Sequence, residues 1–131
     1  MGLDNGVSIR RNGNALAIYD KLAYLEQPWD IERRYDFEVA YFRKCYNIRN
    51  LIFNHLDYAD DNGITPLDVN DIGVIIEVLK SLNTLNWDDE GGSIWTYEEQ
   101  EPFIQQAIKN LTYLQELMAD YDLDVYFYDS Y

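Results

Sequence analysis

An amphipathic pattern over residues 36–59 constrains the fold of this chain more than any other stretch. Its apolar residues recur mostly at the three- and four-residue spacings of one helix face. The residues of that face are Phe42, Cys45, Tyr46, Ile52, Leu56 and Ala59. Asp36 stands where a helix N-cap is favoured, and Glu38 would lie in the positive first turn. We therefore expect a long central helix over residues 36–59.

Two interpretations compete near the N-terminus. Alternating apolar and polar residues over 7–10, followed by the turn-forming pair Asn12-Gly13, predict a β-hairpin over residues 6–20. A helix over residues 15–25 fits the same sequence. The topology of residues 10–34 therefore stays open.

A second helix is predicted after the acidic loop that follows the central helix. Thr65 before Pro66 is one possible start, Asn70 before Asp71 is another, and the helix should continue to about Asn83. Its buried face should consist of isoleucine and leucine residues at helical spacing, namely Ile72, Ile75, Ile76, Leu79 and Leu82.

The C-terminal third contains the clearest helical stripe and a closing strand. Pro102 suits the first turn of this helix. The apolar stripe comprises Ile104, Ala107, Ile108, Leu111, Leu114 and Met118. Residues 123–131 alternate, with Val125, Phe127 and Asp129 on one side, and predict a strand. Residues 93–97, SIWTY, are aromatic and β-branched and predict another short strand.

These elements combine into one α+β domain spanning residues 1–131. Three helices should pack on a small, mostly antiparallel sheet made by the N-terminal hairpin, a short central strand and the C-terminal strand. A chain of 131 residues, of which 47% are hydrophobic, is long enough to bury one core.

The charge is strongly asymmetric along the chain. The formal net charge is −14, and residues 57–131 hold 17 acidic side chains against only Lys80 and Lys109. Such a field repels nucleic acids and anionic lipids, so we expect no direct nucleic-acid binding and no membrane binding. It favours cations or a basic protein surface, although acidity can equally serve solubility alone.

Three features of the sequence predict a cytoplasmic protein. No run of about 18 apolar residues is present, so no membrane-spanning helix is expected. The first 14 residues lack the apolar core of a secretory signal. Cys45 is the only cysteine, which excludes an internal disulfide.

Catalytic and metal-binding patterns are sparse. His55 is the single histidine, so zinc motifs with two histidines are excluded, and we expect a structural role for it. Residues 58–69 resemble a calcium loop in part, but Val69 stands where the bidentate glutamate is required. No glycine motif for phosphate binding occurs. We therefore expect a protein that is not an enzyme and that uses no cofactor or metal.

The second half of the chain offers candidate residues for binding a basic protein. Carboxylates spaced along loops and helices can imitate the phosphate field of DNA and occupy a basic cleft. The candidates are Asp57, Asp60, Asp61, Asp88, Asp89, Glu90, Glu98, Glu99 and Glu101. Trp87 could anchor such a contact, although a position in the core is an equal alternative.

Three short segments resemble a family of small phage and prophage proteins. They are the opening MGLD at residues 1–4, EVAYFRK at residues 38–44, and the ending YFYDSY at residues 126–131. Members typically open Met-Gly-Leu-Asp, carry Glu-Val-x-Tyr-Trp-Arg-Lys on a helix, and finish on an aromatic strand. The resemblance implies an origin in a phage or mobile element, and hence expression inside a bacterium. It implies no particular activity.

Four polar or aromatic residues of this chain match the helical signature of that family: Glu38, Tyr41, Arg43 and Lys44. We expect them to form an ion-paired structural seam against the sheet. The alternative is a ligand site in which Arg43, Lys44 and nearby tyrosines hold an anionic metabolite or nucleotide.

The charge and the resemblance together predict an acidic interaction protein. The sharper hypothesis is an inhibitor that binds a basic, nucleic-acid-handling host or defence protein, acting as a DNA mimic. The alternative is a protein that binds or sequesters an anionic small molecule, or a small enzyme. A third possibility is a structural or regulatory phage protein whose acidity serves only solubility. The sequence does not determine the oligomeric state.

Overall fold

Four antiparallel strands form one open sheet in the computed structural model, in the order β2-β1-β4-β3. The structure describes residues 4–23, 25, 36–43, 46–56, 63–85, 87 and 96–130. The strands are β1 (Asp4–Ile9), β2 (Phe37–Arg43), β3 (Ile64–Leu67) and β4 (Val125–Ser130). The helices in this part of the chain are α1 (Gly13–Leu16), α2 (Tyr19–Leu22), α3 (Tyr46–Leu56), α4 (Val69–Lys80) and α5 (Tyr97–Asp120). The predicted α+β class is confirmed, but the number of helices and the origin of two strands differ from the prediction.

The strand register gives the sheet one apolar and one polar face. Residues directly opposite one another on paired strands point to the same side, so Val7 shares a face with Ala40 and Phe127. The buried apolar side chains of this face are Val7, Ile9, Ala40, Phe42, Leu67, Val125 and Phe127. The helices pack against it and share one hydrophobic core with it. The opposite face carries Gly6, Ser8, Glu38, Tyr41, Tyr126 and Tyr128.

Helices α4 and α5 supply much of the remaining core. All five residues of the predicted α4 face are buried, which confirms that prediction. Of the predicted α5 stripe, Ile108 and Met118 are half-buried and the other members are enclosed. Burying one such aliphatic side chain contributes about 1.5–3 kcal/mol. Both faces were predictable because helical spacing alone brings their residues to one side.

The start of α4 differs from both predicted positions. Asp68 is the N-cap: its carboxylate accepts a hydrogen bond from the backbone N–H of Asp71 (2.8 Å), and Asp71 accepts one from the N–H of Asp68 (3.0 Å). This reciprocal capping box fixes the first turn. The pair Thr65-Pro66 lies in β3 instead, on a short edge strand that tolerates proline.

Helix α5 also begins earlier than Pro102 suggested. Thr96 Oγ1 accepts from the N–H of Glu99 (3.2 Å), and Glu99 Oε1 accepts from the N–H of Thr96 (3.0 Å). Pro102 therefore lies inside the helix rather than in its first turn. The predicted strand over residues 93–97 is wrong for its last two residues, which are the cap and first residue of α5. Residues 93–95 lie outside the described part of the chain.

The predicted central helix is wrong in its first half. Residues 37–43 form β2, with Phe42 on the apolar face and Glu38 on the polar face. Aromatic and β-branched residues favour strands, and pairing with β1 satisfies backbone groups that a helix would pair internally. The helical spacing placed Phe42 and Ile52 on one predicted helix face. In the structure Ile52 belongs to a separate helix, α3, where it is fully buried.

The predicted hairpin is wrong after its first strand. Asn12 does not form a turn between strands but caps α1, where its side-chain oxygen accepts from the N–H of Ala15 (3.1 Å). Strand β1 pairs instead with β2 and β4, which lie far away in sequence. The helical interpretation of residues 15–25 is closer, because two short helices, α1 and α2, follow β1.

Candidate interaction surfaces

The acidic residues predicted to bind a partner fall into two groups. Glu98, Glu99 and Glu101 lie exposed on the first turns of α5. Glu98 and Glu101 form no ion pair with the described residues. Partial burial, followed by the charges of Glu101 and Glu98, raises the pKa of Tyr97. The remaining candidates lie outside the described residues: Asp57, Asp60, Asp61, Asp88, Asp89 and Glu90.

Trp87 belongs to the core. Its side chain is 7% exposed, and its ring meets the edge of Tyr97 with 5.9 Å between centroids. This is the core position that the sequence left open as an alternative. An indole enclosed in this way does not offer an exposed anchor to a partner.

Glu38 lies in a buried hydrogen-bond network on the polar face of the sheet. Ser8 Oγ donates to Glu38 Oε2 (2.8 Å), and the Tyr128 hydroxyl donates to Glu38 Oε1 (2.6 Å). None of the three residues is more than 8% exposed. A buried carboxylate requires such donors to remain charged. The network ties β2, β1 and β4 together through hydroxyl donors, whereas the sequence predicted an ion-paired seam.

Gly6 provides the space in which this network forms. A Cβ at Gly6 would overlap the carbonyl oxygen of Ala40, and it would lie 2.8 Å from the Tyr128 hydroxyl and 2.9 Å from Glu38 Oε1. Only glycine therefore fits between β2 and β4 at this point of β1.

Two other residues that match the signature of the phage proteins lie along the same strand. Tyr41 is half-buried opposite Gly6, and Arg43 stands opposite Asp4 at the end of β2. The backbone register thus places Glu38, Tyr41 and Arg43 on one polar face, on a strand rather than the expected helix. Lys44 lies outside the described residues.

Asp36 is anchored beside the end of this face. Its carboxylate accepts from the Tyr126 hydroxyl (2.6 Å) and from the backbone N–H of Arg11 (3.0 Å), so it is not the helix N-cap that the sequence predicted. Burial is the largest cause that raises the pKa of Tyr126 to about 12; the hydrogen bond to Asp36 and the charge of Asp36 act in the same direction. Ser8 and Arg10 oppose the shift.

An ion pair joins α3 to the apolar side of the sheet. Arg49 Nε lies 2.6 Å from Asp129 Oδ2, with the aspartate side chain only 7% exposed. Breaking such a pair from one side would leave a buried charge without compensation. Arg49, one of the rare bases of this chain, therefore stabilises the fold.

A second acidic region, which was not predicted from the sequence, lies at the C-terminal end of α5. Two depressions of about 520 and 410 Å³ adjoin there and share Tyr121. Four of the exposed large hydrophobic residues line them: Leu16, Tyr19, Val69 and Tyr121. The carboxylates beside them belong to Asp20, Asp68, Asp120 and Asp122. We call these two depressions together the Tyr121 groove.

The Tyr121 groove was hidden in the sequence because its walls come from three separate segments. Residues 16–21, 67–69 and 118–123 become neighbours only when α1, α2, the start of α4 and the end of α5 meet at one end of the sheet. The only local signal was the run of aspartates at residues 120–124.

A third depression lies between α3 and α4. It has a volume of about 470 Å³, and its walls include His55, Val74 and Val78. His55 Nδ1 lies 2.8 Å from the carbonyl oxygen of Leu51 in the preceding turn of α3. His55 is exposed and makes this contact within its own helix, so the structural role expected for the histidine stays a prediction.

Comparisons with known proteins give no further guide to these surfaces. No protein-family model, no curated protein and no solved structure matches the chain. Within the described residues, no group of three or more metal-ligating side chains is placed to hold a metal ion. None of the described helices is both long and apolar enough to cross a membrane.

Proposed function

We propose that this chain is a phage-encoded interaction protein, without enzymatic activity, whose acidic surface inhibits a basic, nucleic-acid-handling protein of the host or of its defence systems. In this role its carboxylates replace the phosphates of DNA on the partner. The proposal extends the resemblance to phage proteins, and the acidic surface gives it a physical basis.

The observation that carries the proposal is a set of exposed carboxylates on α5 and the following turn that make no ion pair with the described residues. They are Glu98, Glu101, Glu116, Asp120 and Asp122. Like charges on one surface repel each other and are stabilised when cations approach. A partner rich in lysine and arginine would supply those cations and would be drawn to the surface by its field.

Affinity capture tests the proposal. The tagged protein is incubated with nuclease-treated bacterial lysate, and bound proteins are identified at low and high salt. We expect a basic nucleic-acid enzyme that salt or added DNA displaces. A variant that neutralises the five carboxylates listed above should bind the identified protein at least tenfold more weakly. A control variant, Lys80→Gln with Lys109→Gln, makes the chain more acidic and should keep full binding.

Unchanged binding by the neutralised variant would refute the acidic-surface mechanism and leave solubility as the role of the charge. Circular dichroism of each variant separates loss of binding from loss of fold. A partner that DNA does not displace would refute mimicry but not the acidic contact.

The alternative of a site for an anionic metabolite has less support. The candidate residues of this alternative are Glu38, Tyr41, Arg43 and Lys44. Glu38 contributes a buried carboxylate to the face of the sheet on which Tyr41 also lies. A negative group at this position disfavours a bound anion. Calorimetric titration with nucleotides tests this alternative, and binding that Tyr41→Ala abolishes would restore it.

A further inference from the structure

The Tyr121 groove is lined by both exposed apolar side chains and carboxylates. Soluble proteins rarely cluster exposed hydrophobic side chains, and clusters rimmed by polar groups commonly mark protein contacts. Leu16 is 47% exposed, Tyr19 is 49% exposed, and Val69 and Tyr121 are each 37% exposed. Lys21 is the one basic side chain in the walls of the groove, against the four aspartates.

The end of α5 adds to the negative potential of the groove. A helix C-terminus carries partial negative charge, and basic side chains in the last turn normally compensate it. The last turn of α5 contains no basic residue, and the helix ends on Asp120 with Asp122 close behind. Tyr121 donates its N–H to the carbonyl of Leu117, whereas no described backbone donor reaches the carbonyls of residues 118–120.

A carboxylate is less favourable at the negative end of a helix than at its positive end. Asp68 differs, since it caps α4 and its charge lies at a positive helix end. Asp120 and Asp122 form no ion pair with the described residues, and an approaching cation would reduce their repulsion.

We propose that the Tyr121 groove seats a basic amphipathic segment of a partner protein, with apolar side chains in the groove and lysine or arginine against Asp120 and Asp122. This inference rests on the proposed function and gives it a location. Charge complementarity selects the occupant: the aspartates repel acidic segments, and the exposed apolar side chains favour a segment that also carries apolar residues. The contact would lie about 30–35 Å along the helix axis from Glu101 and Glu98, at the other end of the 24-residue α5.

Two synthetic peptides of identical composition test the proposal. The first peptide has leucines at helical spacing on one face and lysines on the opposite face. The second contains the same residues in a shuffled order, so that neither face is apolar. Both are titrated into isotope-labelled protein, and amide chemical shifts are recorded. We expect the amphipathic peptide to bind at least five times more tightly and to shift the amides of Leu16, Val69 and Tyr121.

Matched substitutions separate the groove from general acidity. Tyr121→Ser should weaken peptide binding about tenfold, and Leu16→Ser should weaken it in the same direction. Leu85→Ser, at a leucine that is 95% exposed and outside the groove, should leave binding unchanged.

Charge substitutions provide a second matched pair. Asp120→Asn with Asp122→Asn should weaken binding, lower its salt dependence, and raise the melting temperature by about 1–4 °C because the helix end is relieved of repulsion. Glu98→Gln with Glu101→Gln removes the same charge at the opposite end of α5 and should leave peptide affinity unchanged.

Equal affinity for the two peptides, shifts centred on the start of α5, or no shifts at millimolar peptide would each overturn the groove proposal. If basic peptides still bind elsewhere in a salt-dependent manner, the proposed function survives and only its location fails. If no basic ligand binds anywhere, both fail.

Discussion

Removing the hydroxyl of Tyr128 tests whether the Glu38 network stabilises the fold. In Tyr128→Phe, Glu38 loses the donor at 2.6 Å from Oε1 and keeps Ser8 at Oε2. A hydrogen bond to a charged group contributes about 1.5–3 kcal/mol, and this one lies where both side chains are 5–8% exposed. We therefore expect a loss of about 2–3 kcal/mol in the free energy of unfolding.

Urea unfolding at pH 7, followed by circular dichroism, measures this loss as a shift of the midpoint at constant slope. The same loss should lower the melting temperature by about 6–12 °C for a chain of this size. Tyr19→Phe is the matched control, because it removes the same group from a ring that is 49% exposed, and it should change stability by less than about 0.5 kcal/mol. Equal effects of the two substitutions would refute the reasoning, since Glu38 would then be stable without the Tyr128 hydroxyl.

Three further predictions follow from single contacts. Gly6→Ala should cost about 3 kcal/mol or more, because its Cβ meets the carbonyl of Ala40, whereas Gly13→Ala has open space around it and should be neutral or stabilising in thermal melts. Because the pKa of Tyr126 is raised to about 12, this residue should contribute to the free energy of unfolding in full below pH 10. That contribution should be lost as the pH rises through 12. Because this ring is partly exposed, the loss should be about 1 kcal/mol, and Tyr126→Phe should abolish it in melts between pH 9 and 12; an unchanged profile would contradict the assignment. Thr96→Ala removes one half of the α5 capping box and should lower the free energy of unfolding in urea by about 1 kcal/mol. Thr112→Ala, at an exposed threonine within α5, is the control. If Thr96→Ala had the smaller effect of the two, the cap would be dispensable.

The elements that the sequence predicted well are those whose pattern is local. The apolar stripes of α4 and α5 and the alternation of β4 appear in the structure because helical or strand spacing alone orders them. Strand β2 was mistaken for a helix because strand pairing with β1, at separations of 28 to 39 residues, outweighed the local spacing. The Asn12-Gly13 pair was mistaken for a hairpin turn because asparagine is equally suited to cap a helix.

The candidate surfaces were predictable only in part. The exposed glutamates near the start of α5 were visible in the sequence as a run of acidic residues, although the first residue of the helix was predicted wrongly. The Tyr121 groove was not visible there, because its apolar and acidic residues come from three segments. The buried role of Glu38 was equally hidden, because its donors lie 30 and 90 residues away.

By itself, the sequence determined the α+β class, the acidity of the second half and the buried faces of two helices, because these depend on composition and on short-range periodicity. Tertiary structure alone decided the strand order, the burial of Glu38 and Trp87, and the meeting of Leu16, Val69 and Tyr121 at one end of the sheet. These depend on long-range pairing, in which the free energy of contacts between distant segments exceeds the local preferences of each segment.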